Sequence, residues 1–373
     1  MGTKIDMSNL GRTAVFKPLS LGGMELPNRI VMAPMTRRRA VDGVLTQLSI
    51  DYYARRAAAG VPLIISEATY IDHPYAGVDR RVPVFFGDAA LESWRNLVDA
   101  VHAEGSFIFP QLWHVGAQLY TRPELERTIV PMTPSGFALN GTEIGEPMTV
   151  RDIDSVIASY ARGASTAVEL GFDGVEIHGA HGYLIDEFLW HFTNRRTDRY
   201  NGSLMARARF ASEVVAAMRA AAGPSFPISF RLSQWKTDHY DARLVESPGE
   251  LGDLLGPIVE AGVTCFHTST RRFWQTEFPE SDLTLAGWVR HLTGVPTIAV
   301  GSAGIEKQFI PNSSDVELAY DGPLDELFLR MKRDEFDLIA VGRGLLADPE
   351  WALAIRDGRP IKPFVNHSPQ DLY

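Results

Sequence analysis

The chain has 373 residues, of which 45% are hydrophobic, and its formal net charge is -10 at pH 7. This length and composition allow a large buried core, and α/β barrels of similar length often form one domain. The acidic balance, interrupted only by the short basic run Arg37, Arg38 and Arg39, argues against a protein that binds nucleic acid.

Eight apolar runs, each followed by a helical pattern, recur along the chain. Runs that are apolar throughout are typical of buried parallel strands. They are Ile30–Met35, Leu63–Ala68, Phe107–Leu112, Gly174–His178, Ile228–Leu232, Thr264–Thr268, Pro296–Val300 and Leu338–Val341. Eight strand-then-helix units predict an α/β fold, a closed (β/α)₈ TIM barrel that forms a single domain over 1–373 with its core at 16–357.

Three segments are longer than the connections that a minimal (β/α)₈ barrel needs. Residues 10–27 hold Gly22 and Gly23 between apolar runs, which predicts an N-terminal hairpin that plugs the bottom of the barrel. Residues 115–149 and 302–335 predict long loop insertions on the top face, and segments of this kind are usually lids or binding loops.

Polar residues mark several helix ends. Thr149 followed by Asp152 predicts a capping box, and Gly171 predicts the end of the same helix. Ser247 followed by Pro248 predicts another helix start. These signals support the assignment of helices between the strands.

A single cysteine, Cys265, excludes an internal disulfide and an iron–sulfur cluster. The first residues, MGTKIDMSNLGR, lack the apolar core of a signal peptide, and no run approaches the length of a membrane span. We therefore expect a cytoplasmic protein whose partners are small molecules rather than a membrane or nucleic acid. A monomer and a homodimer are both compatible with the sequence.

The stretch FDGVEIHGAHGYL, residues 172–184, concentrates groups that can exchange protons. The apolar run that begins near Val175 ends at His178, two glycines bracket His181, and Tyr183 follows. In barrels of parallel strands, active sites are built at the carboxyl ends of the strands. We therefore place His178, His181 and Tyr183 in a candidate active site.

The ends of other predicted strands carry residues suited to a flat, phosphorylated cofactor. Glycines and an arginine follow the last two strands, where this fold commonly binds phosphate, at Gly301, Ser302, Gly342 and Arg343. Glycine lets the backbone approach a phosphate, and arginine binds it through two parallel hydrogen bonds. Elsewhere the rim offers side chains that can hydrogen-bond a heterocycle, namely Thr36, Gln111 and Arg231.

The two histidines admit other interpretations. They could be rim residues satisfied by backbone carbonyls, or they could join Glu176 and Asp186 as ligands in a metal-dependent hydrolase. The glycines around His181 argue against a helical metal-binding spacing, and no third histidine follows a neighbouring strand in a suitable place. We therefore predict no metal site.

Seven segments stand in order along the chain between Phe16 and Trp351: RIVMAPMTRRRA, SEATYI, PQLWHVG, HGAHGYL, NRRTDRYNGS, SFRLS and VGRGLLADPEW. Together they resemble the old yellow enzyme family, the FMN-dependent ene-reductases. The resemblance implies an eight-fold barrel that binds FMN tightly but non-covalently at its carboxyl face and receives hydride from NADH or NADPH.

The resemblance also assigns cofactor-binding residues. It implies Thr36 at flavin O4, Ala68 and Gln111 at the pyrimidine edge, and Arg231 near N1 and O2, where a cation stabilises the reduced flavin. The other cofactor-binding positions that it implies are Ala33, Pro34, Met35, Gly301, Ser302, Gly342 and Arg343.

On the substrate side, His178 and His181 match the pair that binds a carbonyl or nitro oxygen, and Tyr183 matches the proton donor. Trp113 and Trp274 complete the substrate pocket that we expect. Many members of the family have asparagine where this chain has His181, and histidine should keep the same role.

The implied reaction is a ping-pong reduction of an electron-poor alkene, such as an enone or a nitroalkene. The nicotinamide nucleotide delivers hydride to flavin N5 and leaves, and the alkene then accepts this hydride and a proton from Tyr183. Two alternatives remain, a catalytically idle barrel that binds flavin or a phenol, and the metal-dependent hydrolase. The physiological substrate and the choice between NADH and NADPH stay open.

Overall fold

The computed structural model describes residues 12–119, 130–237, 239–305 and 322–364. Ten strands are present in this part of the chain: β1 (Leu19–Leu21), β2 (Met24–Leu26), β3 (Ile30–Met32), β4 (Leu63–Tyr70), β5 (Phe107–Trp113), β6 (Val175–His178), β7 (Ile228–Leu232), β8 (Cys265–Ser269), β9 (Thr297–Val300) and β10 (Leu338–Val341). Strands β3 to β10 are parallel neighbours, and β10 pairs with β3, so that they form a closed barrel. The predicted TIM barrel and its eight strands are confirmed.

Helices alternate with the barrel strands. Their bounds are α1 (Gln47–Ala58), α2 (Asp88–Ala103), α3 (Val150–Leu170), α4 (Leu184–Leu189), α5 (Leu204–Ala222), α6 (Pro248–Glu260), α7 (Leu285–Thr293), α8 (Gly322–Lys332), α9 (Arg343–Ala347) and α10 (Trp351–Asp357). None of these described helices combines the length and apolar character needed to cross a membrane.

The predicted helix caps are present. The side chain of Thr149 accepts a hydrogen bond from the backbone N–H of Asp152, and Asp152 accepts one in return, which completes the capping box of α3. Gly171 ends α3 in the left-handed conformation, with φ 84°. Ser247 caps α6 with Pro248 at its first position. Because a cap of this kind contributes about 1 kcal/mol, these residues define where the helices begin and end.

The interior of the barrel is filled from below by the hairpin of β1 and β2. Its residues Leu21, Met24 and Leu26 pack against inward-facing strand side chains such as Ile65 and Phe109. This confirms the predicted hairpin plug. The larger apolar core lies outside the barrel, between strands and helices.

The turn of this hairpin approaches a neighbouring loop closely. Gly22 has φ +57°, and a Cβ atom there would lie 2.6 Å from Cγ of Pro227. Glycine is therefore required both by the backbone angle and by the contact.

Of the two predicted insertions, residues 120–129 and 306–321 lie outside the described residues, and within the second, residues 322–332 form α8, the helix between β9 and β10. Arg196, in the loop after α4, donates hydrogen bonds to the carbonyls of Pro134 and Met148 in the first insertion, and it forms an ion pair of 2.6 Å with Asp198. The loop after α4 thereby braces the described part of the first insertion.

Candidate active site

A cavity of about 460 Å³ lies at the carboxyl ends of the barrel strands. The predicted cofactor-binding residues line it, with the exception of Ala68 and Gln111: Ala33, Pro34, Met35, Thr36, Arg231, Gly301, Ser302, Gly342 and Arg343. β3 ends at Met32, so the backbone from Ala33 onward leaves the sheet and forms one wall. His181 of the predicted substrate side also lines this cavity.

Ala68 and Gln111 are buried on the adjacent strands β4 and β5. Ala68 pairs with Gln111, and Gln111 pairs with Glu176 on β6, so the three residues follow one another across the sheet. The amide Nε2 of Gln111 donates a 2.8 Å hydrogen bond to Oε1 of Glu176. One of its amide hydrogens is therefore committed to a buried carboxylate, which holds the Gln111 side chain in one orientation.

Glu176 is the centre of a buried polar network that the sequence did not reveal. Its Oε2 accepts hydrogen bonds from the hydroxyl of Ser229 at 2.9 Å and from Nδ1 of His267 at 2.8 Å. Burial raises the pKa of Glu176, but His267 and the charge of Arg231 outweigh that effect and bring the pKa below its ordinary value. A carboxylate thus remains ionised inside the barrel.

Arg231, the last but one residue of β7, lies beside this network and lines the cavity. Its Nη2 donates to the hydroxyl of Ser269 at 3.4 Å, and its buried Nε has no hydrogen-bond partner within the protein. Burial lowers the pKa of Arg231, and the charge of Glu176 offsets part of that shift. Because an arginine stays charged even so, the site presents a fixed cation with an unused donor.

Four rings meet at the exit of β6, those of Trp113, His178, His181 and Tyr183. The ring centroids of His178 and Tyr183 are 4.7 Å apart, and those of His178 and His181 are 5.1 Å apart. Trp113 packs against Tyr183 at 4.8 Å. The predicted catalytic residues therefore form one cluster, and His181 connects that cluster to the cavity.

Both histidines of the cluster are neutral at neutral pH. Burial and then the charge of Arg231 bring the pKa of His178 and that of His181 well below the ordinary value. The hydroxyl of Ser269 accepts a hydrogen bond from Nη2 of Arg231 and lies 2.8 Å from Nε2 of His181, so it links the two residues.

The backbone at His181 is unusual. His181 has φ +65° and Gly182 has φ +79°, so two consecutive residues adopt the left-handed conformation. The N–H of His181 donates to the hydroxyl of Ser233, and its carbonyl accepts from the N–H of Thr237. A non-glycine residue in this conformation is strained, and such strain occurs often at functional sites.

The predicted phosphate corner is built mostly from backbone. Nη2 of Arg343 donates to the hydroxyl of Ser302 at 2.8 Å, and Ser302 itself has φ +53°. At Gly301 a Cβ atom would lie 2.7 Å from the carbonyl oxygen of Thr270. Glycine is therefore required at Gly301 by the packing of the neighbouring loop.

Trp274 stands apart from the predicted substrate residues. Its ring contacts Phe273 at 5.1 Å, and its carbonyl accepts a hydrogen bond from Arg330. It does not line the cavity described above. The structure therefore does not bring Trp274 together with the other predicted substrate residues.

Several cavity residues were not predicted. They are Arg37, Trp235, Ser269, Thr270, Arg271, Ala303, Ile305, Leu346 and Phe364. Ser269 ends β8 and could have been found by the same survey of strand ends that identified the others. Phe364 comes from the far end of the described chain and carries no motif, so only the folded structure reveals it.

Glu67, next to Ala68 on β4, is a further buried acid near the cavity. Its Oε2 accepts the backbone N–H of Arg37 at 2.8 Å, while its Oε1 has no hydrogen-bond partner. Burial raises the pKa of Glu67 to about 7, although the contact with Arg37 opposes the shift. The carboxyl group therefore takes up a proton close to neutral pH.

The acids that would have completed a metal site have other partners. Glu176 contacts His267, and Asp186 forms an ion pair with Lys236. In the part of the chain that the structure describes, no group of three or more histidines, cysteines or acids is arranged to hold a metal ion.

A (β/α)₈ barrel with a cation and a ring cluster at its carboxyl face defines a cofactor-binding enzyme of the TIM-barrel class. The sequence over residues 14–312 matches the model of the NADH:flavin oxidoreductase / NADH oxidase family. The chain belongs to this family. It is accordingly a flavin oxidoreductase that uses FMN and a reduced nicotinamide nucleotide.

Three similar proteins illustrate this relationship. The NADP-dependent oxidoreductase lnbE of Aspergillus flavus is 33% identical, and the match covers 94% of this chain and 91% of that protein. The chanoclavine-I aldehyde reductase fgaOx3 of Penicillium roqueforti is 34% identical, and the match covers 94% of this chain and 91% of that protein. The crystal structure of Old Yellow Enzyme from a Pichia species superposes with a TM-score of 0.75 at 26% identity, covering 95% of this chain and 89% of that one. The resemblance inferred from the sequence is thereby confirmed.

The residues present fit FMN. The cavity volume of about 460 Å³ lies in the range of about 300–1,000 Å³ that is usual for such ligands. The unpartnered Nε of Arg231 matches the electron-rich edge of a flavin, and the pair of Arg343 and Ser302 matches a phosphate. The buried Nε and Nη2 of Arg37, which have no partner in the protein, add further donors to the wall.

Proposed function

We propose that this chain reduces the carbon–carbon double bond of electron-poor alkenes, such as enones and nitroalkenes, by ping-pong use of NADH or NADPH. The observation that supports it most directly is the cluster of His178, His181 and Tyr183 beside a cavity that fits FMN. The aldehyde reductase among the relatives supports a substrate that carries a polarised oxygen.

When bound, FMN would supply the chemistry of hydride transfer between the nicotinamide nucleotide and the second substrate. His178 and His181 each donate one ring N–H to the carbonyl or nitro oxygen of that substrate. These hydrogen bonds stabilise the negative charge that develops on the oxygen, and they are strong because both rings are buried. Neutral rings suffice, since a neutral imidazole has one donor.

Tyr183 supplies the proton to the α-carbon. Its ring is held between Trp113 and His178, so the hydroxyl has a defined position relative to the oxygen-binding histidines. Thr36 and Arg231, which line the cavity, would hold the flavin ring, together with Gln111 on β5 as the family resemblance implies. Ser302 and Arg343, with the backbone at Gly301 and Gly342, would hold its phosphate.

The test is anaerobic reduction of the FMN-loaded protein by NADH and by NADPH, followed by mixing with 2-cyclohexenone. We expect reduction of the flavin by at least one nucleotide and its reoxidation with formation of cyclohexanone. A flavin that is reduced but never reoxidised by an enone or nitroalkene would contradict the proposal. A flavin that neither nucleotide reduces would favour the idle flavin-binding protein.

A further inference from the structure

We propose that the buried ion pair between Lys236 and Asp186 is a positioning device, which holds His181 and Tyr183 in the geometry that binds the substrate oxygen. The inference rests on the proposed function, because it concerns the same substrate side. Neither residue touches the cavity, and both act through the loops that they connect.

The pair is completely enclosed. Nζ of Lys236 lies 3.0 Å from Oδ2 and 3.1 Å from Oδ1 of Asp186, and both side chains have 0% exposure. Nζ also donates to the carbonyls of Gln234, at 2.7 Å, and Ser233, at 3.3 Å. The three donors of the ammonium group are thus all used inside the protein, so Lys236 is not available to a substrate.

Asp186 acts on the loop that carries the ring cluster. Its Oδ2 accepts the backbone N–H of Gly182 at 2.6 Å, directly after His181. Asp186 also lies in the first turn of α4, the helix that Tyr183 caps. One carboxylate therefore orders the backbone between the two catalytic candidates.

Lys236 acts on the facing loop, which follows β7 and carries Trp235. Trp235 stacks on the ring of His181 with 4.3 Å between centroids, and its Nε1 donates to the carbonyl of Ser269. The carbonyls that Lys236 binds belong to Ser233 and Gln234, the two residues before Trp235. The ion pair thus joins the loop below His181 to the loop that supports its ring.

Stability alone does not account for such a pair. Desolvation of two charges usually cancels their attraction, and well-packed neutral residues are often as stable. The strained backbone at His181 and Gly182 supports a function in holding this conformation. The N–H and the carbonyl of His181 are both hydrogen-bonded to the loop after β7 that Lys236 belongs to. A charge pair with directed hydrogen bonds can enforce that conformation where apolar packing would permit relaxation.

The experiment compares Asp186→Asn, Lys236→Met and the double variant as FMN-loaded proteins. Each single variant leaves one buried charge without its partner, which can prevent folding. The double variant removes both charges and so avoids that problem. Three quantities are measured: the FMN content, the flavin reduction potential and the affinity for 4-chlorophenol. The change in the flavin spectrum reports phenol binding. Phenol binding needs no turnover, so it tests the pair even if alkene reduction fails.

We expect the double variant to retain FMN and its reduction potential within error, and to bind the phenol at least ten-fold more weakly. Lys236→Arg, which keeps the charge and the donors, should restore affinity to within three-fold of wild type. The control is Asp337→Asn, since Asp337 pairs with Arg290 at 3.0 Å at the opposite end of the barrel. It should leave phenol affinity unchanged.

Phenol affinity in the double variant within two-fold of wild type would overturn the proposal. A double variant that fails to fold would also overturn it, because the pair would then be required for folding rather than for site geometry. Equal loss in the Asp337→Asn control would show that the effect is a general consequence of lost stability.

Discussion

The proposed substrate side and the proposed phosphate corner of the cavity are built in different ways. On the substrate side, His178, His181 and Tyr183 contact one another through their rings and are held by the buried pair of Lys236 and Asp186. The phosphate corner consists of loop backbone, with Arg343 bonded to Ser302 as its main side-chain feature. The substrate side depends on side chains that a buried ion pair holds in place. The phosphate corner depends mainly on backbone N–H donors.

This difference separates two kinds of failure. Loss of a side chain on the substrate side should damage chemistry or ligand orientation while FMN stays bound. Loss of a side chain at the phosphate corner should weaken FMN binding while the chemistry of the bound fraction survives. The following predictions test that separation, beginning with the largest expected effect.

Tyr183→Phe should slow the alkene half-reaction by about 10²- to 10⁴-fold, the usual contribution of a positioned proton donor. Flavin reduction by NADPH and FMN content should remain near wild type, because the ring still packs against Trp113. Stopped-flow absorbance of the flavin measures both half-reactions. Tyr200→Phe is the control, since the hydroxyl of Tyr200 is bonded to Glu213 away from the cavity; equal slowing of both half-reactions would remove Tyr183 from this role.

Arg343→Ala should weaken FMN binding by about 10- to 100-fold, from the loss of hydrogen bonds worth about 1.5–3 kcal/mol to a charged group. Arg343→Lys should recover part of the affinity, because it keeps the charge but not the two-pronged geometry. Titration of the apoprotein with FMN gives the dissociation constants. Arg359→Ala, on the surface beyond α10, is the control. An unchanged constant in Arg343→Ala would place the phosphate elsewhere.

His178→Ala should weaken the binding of phenols by about 10- to 100-fold, the equivalent of one hydrogen bond of about 1.5–3 kcal/mol to a charged phenolate oxygen. The phenol oxygen imitates the substrate oxygen, so the change in the flavin spectrum reports its binding directly. His102→Ala is the matched control, because His102 is paired with Asp173 outside the barrel. If His178→Ala lowered FMN content instead, His178 would belong to the cofactor side.

The smallest effect concerns pH. Burial brings the pKa of His178 and that of His181 well below the ordinary value, so neither ring gains or loses a proton between about pH 6 and 8. Were a ring to titrate in this window, the affinity for a phenolate would fall as pH rises, because an imidazolium would lose its charge. We expect no such fall when phenol binding is measured across the window, and a clear fall would contradict the neutral rings.

The sequence predicted the barrel and most of the cavity because the relevant patterns are local. A buried parallel strand is apolar throughout, a capping box spans four residues, and the residue that follows each strand is known once the strand is known. Thr36, Arg231 and Arg343 were therefore placed at the same end of the barrel before any contact was visible. Ser269, which ends β8, was not predicted because the apolar run Thr264–Thr268 ends one residue before it.

Other features depended on contacts between residues far apart in the chain. The sequence alone determined the eight strands, the hairpin and the His178–Tyr183 stretch, since each is specified by its nearest neighbours. Only closure of the barrel brought Lys236 to Asp186, fifty residues away, and set His267 against Glu176. In the folded protein Trp274 packs against Phe273 and does not line the cavity. The physical reason is that the partner of a buried charged residue is the group that lies next to it in the folded protein. No local sequence pattern encodes that proximity.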